Sequence, residues 1–162
     1  MVIVGDLETN GLLGEGVDTI WCGSFKDIDT GEIFRYIPDD VIEMTYLFSQ
    51  SSRIIMHNGV DFDREIVKLI LGYTIPLDKM WDTLIWSKLL NPDRKSPNGW
   101  KGKPKPHSIE AWGMRFKRKK PDHDDWSKFS TEMLHRCDED REIGELTYLQ
   151  LLKEMQVGYK RR

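Results

Sequence analysis

The chain alternates short β-branched or apolar runs with segments whose apolar residues recur at helical spacing. Val2-Ile3-Val4 is the kind of run that fills a central strand buried on both faces. Thr19 to Phe25 and Glu32 to Ile37 read as two further strands. Between them, Asp27-Ile28-Asp29-Thr30-Gly31 is a turn with glycine where a positive φ is wanted, so the pair is predicted to be a hairpin. Pro38-Asp39-Asp40 opens a helix from Val41 to Phe48, with acids at its positive end. Ile54-Ile55-Met56 is another buried strand. His57-Asn58-Gly59 follows it, and then a helix from Asp61 to Leu71 that Gly72 ends. Lys79-Met80-Trp81-Asp82 reads as a fifth strand and Thr83 to Leu90 as a helix.

Between Asn91 and Pro106 stand Pro92, Pro97, Gly99, Gly102, Pro104 and Pro106, which predict a mobile loop. A loop of this length inside a compact domain is uncommon and often functional. His107 to Phe116 reads as a helix. The last helix starts at a Ser130 cap and runs to about Met155, with Met133, Leu134, Cys137, Ile143, Leu146, Leu149 and Leu151 as its apolar stripe. Strands and helices in this order predict an α/β domain, a mixed five-stranded sheet flanked by helices.

Length and composition set the bounds. The 162 residues suit one domain, 1–162, with one sizeable core. No apolar run approaches the roughly 18 residues of a membrane span. Met-Val-Ile-Val-Gly-Asp has no basic region ahead of its apolar stretch and is not expected to be a signal peptide. Cys22 and Cys137 are too few and too far apart for a disulfide framework, so a cytoplasmic location is expected. The net charge of −3 conceals a segregation. The stretch from Arg94 to Lys120 holds ten basic residues against Glu110 and carries +9, leaving −12 elsewhere. Such a division fits a solvated lysine-rich loop or a polyanionic partner.

The candidate chemistry lies among the acids. Asp6 and Glu8, two residues apart at the end of the first strand, leave the same face of the sheet. Crowded carboxylates repel and lose hydration, and oxygen ligands of this sort suit Mg²⁺ or Mn²⁺. Alone, Asp-x-Glu reads first as a solvated strand end. Asp63 lies early in a helix and alone reads first as a charge at that helix's positive end. In the last helix, His135 and Asp140 are five residues apart, about 140° around the axis, so they can flank a shared site.

Taken together these residues resemble the DnaQ-like 3′→5′ exonucleases. Asp6-Leu7-Glu8-Thr9-Asn10-Gly11-Leu12 resembles the first motif of that superfamily, and Phe62-Asp63 after His57-Asn58-Gly59 its second. His135-x-x-x-x-Asp140 is similar to the third motif of the histidine-bearing (DEDDh) branch. His57-Asn58-Gly59, Trp81-Asp82-Thr83-Leu84 and His107-Ser108-Ile109-Glu110-Ala111-Trp112-Gly113 resemble the proofreading domain of podovirus-type family A DNA polymerases. Those domains usually carry tyrosine four residues before the last aspartate. Arg136 stands there in this chain, so the base role passes to His135. Asp61 competes with Asp63, and the aromatic Phe62 ahead of Asp63 favours Asp63.

The resemblance implies an RNase H-like fold and phosphodiester hydrolysis with two Mg²⁺ or Mn²⁺ ions held by Asp6, Glu8, Asp63 and Asp140. His135 is the implied general base, since imidazole exchanges protons well near neutral pH. Substrate contacts are implied for Thr9, Asn10, Leu12, His57, Asn58, Phe62 and Asp82, with Asp82 equally readable as a cap for the Thr83 helix. The implied partners are single-stranded DNA or 3′ ends of duplex DNA, and a separate DNA polymerase. The same branch also contains RNA-trimming enzymes, and a non-catalytic nucleic-acid-binding module is a third reading. His107, Trp112 and the six tryptophans generally are expected to pack the core. Pro121-Asp122-His123-Asp124-Asp125 reads as a solvated turn.

Overall fold

A computed structural model describes residues 1–119 and 123–159; Lys120, Pro121 and Asp122 of the basic stretch and acidic turn lie outside the described residues. Strand β1 (Val2–Thr9) runs beyond its β-branched start because every second residue still finds a buried neighbourhood. Ile3 and Leu7 enter the main core on one face, while Val4 lies over α5, its methyl 3.7 Å from where a Gly144 side chain would begin. Asp6 and Glu8 share the Val4 face.

The predicted hairpin forms from β2 (Ile20–Asp27) and β3 (Ile33–Tyr36), with Gly31 at φ 79° in its turn. β2 pairs antiparallel with β1, setting Asp6 opposite Ser24 and Glu8 opposite Cys22, and the register shifts just after Glu8. Gly5 permits the close approach here. Its hypothetical Cβ would lie 2.0 Å from the Phe25 ring, so the ring occupies the space a side chain would need.

A 3₁₀ turn at Val41–Glu43 precedes α1 (Met44–Gln50) where one continuous helix from Val41 was predicted. Asp40 accepts the Ile37 N–H at 2.6 Å and does not cap the helix. Then come β4 (Arg53–Met56), α2 (Asp63–Leu71) ended by Gly72 at φ 67°, β5 (Met80–Asp82) and α3 (Thr83–Leu90). The chain closes with α4 (Ile109–Arg115), capped by Ser108, and α5 (Thr131–Tyr159), whose Met133 N–H donates to Ser130 as predicted.

The result is an α/β domain with a mixed five-stranded sheet, order β3-β2-β1-β4-β5. β1, β4 and β5 run parallel. Their C-terminal ends therefore meet along one edge, the place where open α/β sheets bind ligands. Apolar residues of α1 and α2 (Met44, Leu47, Phe48, Ile66, Val67) pack on one face with Ile3, Leu7 and Phe25. On the other face α5 crosses β1 and β2, and α3 and α4 pack against α5. Trp112 is buried beside Ile143 and Leu151, the core role predicted for it.

The loop predicted to be mobile is tied at its start. Arg94 forms a two-pronged pair with Glu154 of α5 (2.6 and 3.2 Å), and its guanidinium lies 4.5 Å from the centre of the Trp112 ring. Arg115 lies 4.7 Å from that ring and donates to the Lys95 carbonyl at 2.7 Å. Arg118 pairs with Glu139 and Glu142. These pairings absorb part of the basic excess, while Lys95, Lys101, Lys103, Lys105 and Lys117 stay exposed. Among the described residues no helix is long and apolar enough to cross a membrane.

Candidate active site

Three carboxylates from the two ends of the chain converge where α5 crosses β1. Ligand oxygens of Asp6, Glu8 and Asp140 lie within 4.8 Å of one another. Two locks hold α5 in that position. Cys137, one helical turn before Asp140, donates its thiol to the Asp6 carbonyl at 3.2 Å, and burial keeps the thiol protonated. Arg141, the next residue after Asp140, is 2% exposed and donates to Ser24 Oγ at 2.9 Å on the neighbouring strand. Ser24 Oγ donates in turn to Asp138 at 2.6 Å, and Arg35 of β3 also donates to Asp138. Three helix positions are thus fixed to the sheet around Asp140.

Asp63 supplies a fourth carboxylate. It is the first residue of α2, 3% exposed, and lines a small cleft of about 140 Å³ with Asp6, Glu8, Asp140, His57, Asn58, Phe62 and Ile109. Its competitor Asp61 is exposed and lines neither cleft of the site. Burial first, then the charges of Asp82 and Glu8, push the Asp63 carboxyl up to about 7. Burial of this kind disfavours the anion, and a cation reverses that preference. Buried, crowded, all-oxygen donors fit a hard divalent ion of the Mg²⁺ or Mn²⁺ type.

The second motif owes its shape to Asp82. Its carboxylate accepts the N–H groups of Asn58 (3.1 Å) and Val60 (3.0 Å) and also caps α3 through Leu84 (2.8 Å) and Ile85 (3.2 Å). Of the two roles predicted for Asp82, the cap is the one the structure displays, with four backbone donors on a carboxylate that is 4% exposed. Asn58 takes a left-handed backbone, φ 64°, which asparagine tolerates better than most residues. Gly59 follows because a Cβ there would lie 2.5 Å from the Met56 side chain. His57 Nδ1 is 2.8 Å from Thr83 Oγ1, which fixes the ring at the cleft wall.

A larger cleft of about 410 Å³ adjoins the acids, lined by Leu7, Glu8, Thr9, Asn10, Gly11, Leu12, Phe62, Trp126 and Arg136. Leu12 stands on its rim, 57% exposed. Asn10 lines it too, yet its side chain is turned to the following loop. It donates to Asp18 at 2.8 Å and accepts the N–H groups of Asp18 and Thr19 at 3.1 Å, so it closes that loop. Thr9 directs its hydroxyl to the Gly11 carbonyl at 2.8 Å.

His135 is exposed on α5 and lines neither cleft. The residue after it does. Arg136 lies 3.3 Å from Glu8 and 5.2 Å from the centre of the Trp126 ring. Arg136 and Trp126 are the site residues that sequence reasoning missed. The arginine was visible as a departure from the tyrosine pattern, and the tryptophan was assigned to core packing. Ile109, inside the His-Ser-Ile-Glu-Ala-Trp-Gly segment, brings the end of the basic loop to the small cleft.

No family model matches the chain, and no curated protein matches it.

Proposed function

We propose that this chain is a metal-dependent 3′→5′ exonuclease of the DnaQ-like type, with an RNase H-like fold, hydrolysing DNA to 5′-mononucleotides. The observation that carries the reading is the convergence of Asp6, Glu8 and Asp140 within 4.8 Å, from segments some 130 residues apart. Asp63, buried beside them at the start of α2, completes the set of four. The strand order, with β2 alone running antiparallel to the other four strands, is compatible with the RNase H-like fold and supports the reading.

Asp6, Glu8, Asp63 and Asp140 are the residues that would hold two Mg²⁺ or Mn²⁺ ions. When bound, such ions supply Lewis-acid activation of water and charge neutralisation at a phosphodiester. The remaining steps belong to the chain. Leu12 and Phe62 border the terminal nucleoside through apolar contact, which tolerates any base. His135 would take the proton from the attacking water, whose oxygen bonds to phosphorus as the bond to the neighbouring nucleotide's 3′ oxygen breaks. The proton returns to that oxygen. Exposed Lys95, Lys101, Lys103 and Lys105, on the segment leading to Ile109, would follow the strand's phosphates. Single-stranded DNA and frayed 3′ ends are the proposed substrates, because an end must be unpaired to enter clefts of about 140 and 410 Å³, and a separate DNA polymerase is the proposed protein partner.

The test is digestion of 5′-labelled single-stranded, duplex and mismatched DNA, with matched RNA alongside, with and without Mg²⁺. A ladder shortening from the 3′ end only with the ion, and lost in Asp6→Ala and Asp140→Ala, is the expected result. Undiminished cutting by Asp6→Ala would sink the carboxylate assignment.

A further inference from the structure

Arg136 raises a question that four metal-holding carboxylates leave unanswered: why place a guanidinium 3.3 Å from one of them? Its charge and that of a divalent ion are rivals for the same carboxylate, because Glu8 belongs both to this pair and to the carboxylate cluster. The side chain is not confined to Glu8. It lines the 410 Å³ cleft, flanks the Trp126 ring at 5.2 Å and is about four-fifths buried. A cleft of that volume, with Trp126 and Phe62 as aromatic walls, Leu7 and Leu12 as apolar ones and a single arginine, has the size and lining of a small-ligand site. Aromatic faces suit a nucleobase, and a guanidinium suits a phosphate.

We propose that Arg136 is an exchangeable cation: it neutralises Glu8 in the metal-free protein, and releases Glu8 to a divalent ion while turning to grip the phosphate of a nucleotide seated against Trp126. This rests on the exonuclease reading for its ligand class, but its signature is thermodynamic and separate from turnover. Ion and nucleotide must then promote each other's binding by the same factor, since each favours the released arginine.

The experiment measures Mn²⁺ affinity by titration calorimetry, and thymidine 5′-monophosphate affinity with and without Ca²⁺, in the full chain and in Arg136→Gln, Arg136→Lys and Trp126→Leu. Arg136→Gln should bind Mn²⁺ about tenfold more tightly, having lost the internal rival, and the nucleotide about tenfold more weakly. Arg136→Lys should keep near-native Mn²⁺ affinity. Trp126→Leu should weaken the nucleotide alone. Ca²⁺ should raise nucleotide affinity in the native chain and much less in Arg136→Gln. Weaker or unchanged Mn²⁺ binding in Arg136→Gln, with circular dichroism unaltered, overturns the proposal; so does nucleotide affinity indifferent to Ca²⁺ in the native chain. Should Arg136→Gln fail to fold, Arg136→Lys and the Ca²⁺ dependence of the native chain decide. The affinity pattern without any strand cutting would retain Arg136 and remove the exonuclease, whereas cutting without the pattern would do the reverse.

Discussion

Asp82, the last residue of β5, accepts the backbone N–H of Asn58, just past the end of β4, at 3.1 Å. Three more N–H groups, from Val60, Leu84 and Ile85, share the same carboxylate. One side chain thus starts α3 and shapes the segment that delivers Phe62 and Asp63. Asp82→Ala removes a helix cap and strands two further donors beneath the surface, a loss of about 3 kcal/mol. For a chain of this length that lowers Tm by roughly 6–12 °C. Urea denaturation and a thermal scan measure the loss, and Mn²⁺ titration should show weaker binding because Asp63 is no longer held. A stability change below about 1 kcal/mol would remove the capping account.

Asp63 should make the metal-free protein less stable as pH rises. Its folded value, about 7, lies above the ordinary 3.8, so between those values the folded chain holds a proton that the unfolded chain has released. Stability therefore falls across that window and levels off above it, by up to about 4 kcal/mol from this one group. Asp63→Asn abolishes the dependence, and Mn²⁺ at pH above 7 restores native stability but not that of the variant. Urea denaturation of chelator-treated protein from pH 4.5 to 7.5 is the measurement. A constant difference between native and variant stability across that range would contradict it.

Much of the architecture was legible because local signals and tertiary demands agree. Val2-Ile3-Val4, Ile54-Ile55-Met56, Gly31, Gly72 and the Ser130 cap each specify an element or boundary that forms. The acids could be read as a set, since Asp6 and Glu8 share a strand face by period two whatever surrounds them. Other features depended on contacts between remote segments. Nothing near Arg94 in sequence announces that Glu154 and Trp112 will hold it, so a loop rich in proline and glycine was read as free. Asn10 was read as a substrate residue from its motif, and its bonds to the loop at Asp18 and Thr19 could not be foreseen from that motif. Which of His135 and Arg136 faces the cleft depends on the rotation of α5 about its axis. Neighbouring helix positions differ by about 100°, and that angle is fixed by contacts with remote strands: Met133 and Cys137 packed against Cys22, and Asp138 and Arg141 bonded to Ser24.

Arg141 should be a keystone of α5. Its guanidinium is buried, donates to Ser24 and lies 3.7 Å from Asp138. Arg141→Ala leaves Asp138 and Ser24 without that charge and opens a void, at a cost of about 3–5 kcal/mol. Arg141→Met fills the space without the charge and should cost clearly less if volume dominates. Denaturation of both variants separates the two contributions. Because Asp140 is the adjacent residue, Mn²⁺ affinity should fall with stability in the alanine variant. Equal and small losses in both would assign the alignment of α5 to Cys137 and Met133 instead.

His135 carries the sharpest conflict between motif and geometry. The resemblance implies that it is the general base, while its side chain is exposed on α5 and lines neither cleft. Catalytic contacts often tighten only with substrate and ions in place, so the base role requires the opening turns of α5 to shift toward the cleft. That segment is held mainly through Trp126, Phe129 and Met133, and Trp126 also accepts the Trp21 indole N–H at 3.0 Å. Loss of a positioned base costs about 10²–10⁴ in rate. His135→Ala should therefore lower kcat at least a hundredfold and leave KM and Mn²⁺ affinity nearly unchanged. His135→Gln, which keeps polarity without exchanging protons, should behave like alanine. If His135→Ala cuts single-stranded DNA within threefold of the native rate, α5 keeps its present rotation during turnover. Proton removal then falls to solvent or to a carboxylate of the cluster, and the histidine pattern in this sequence is a surface coincidence.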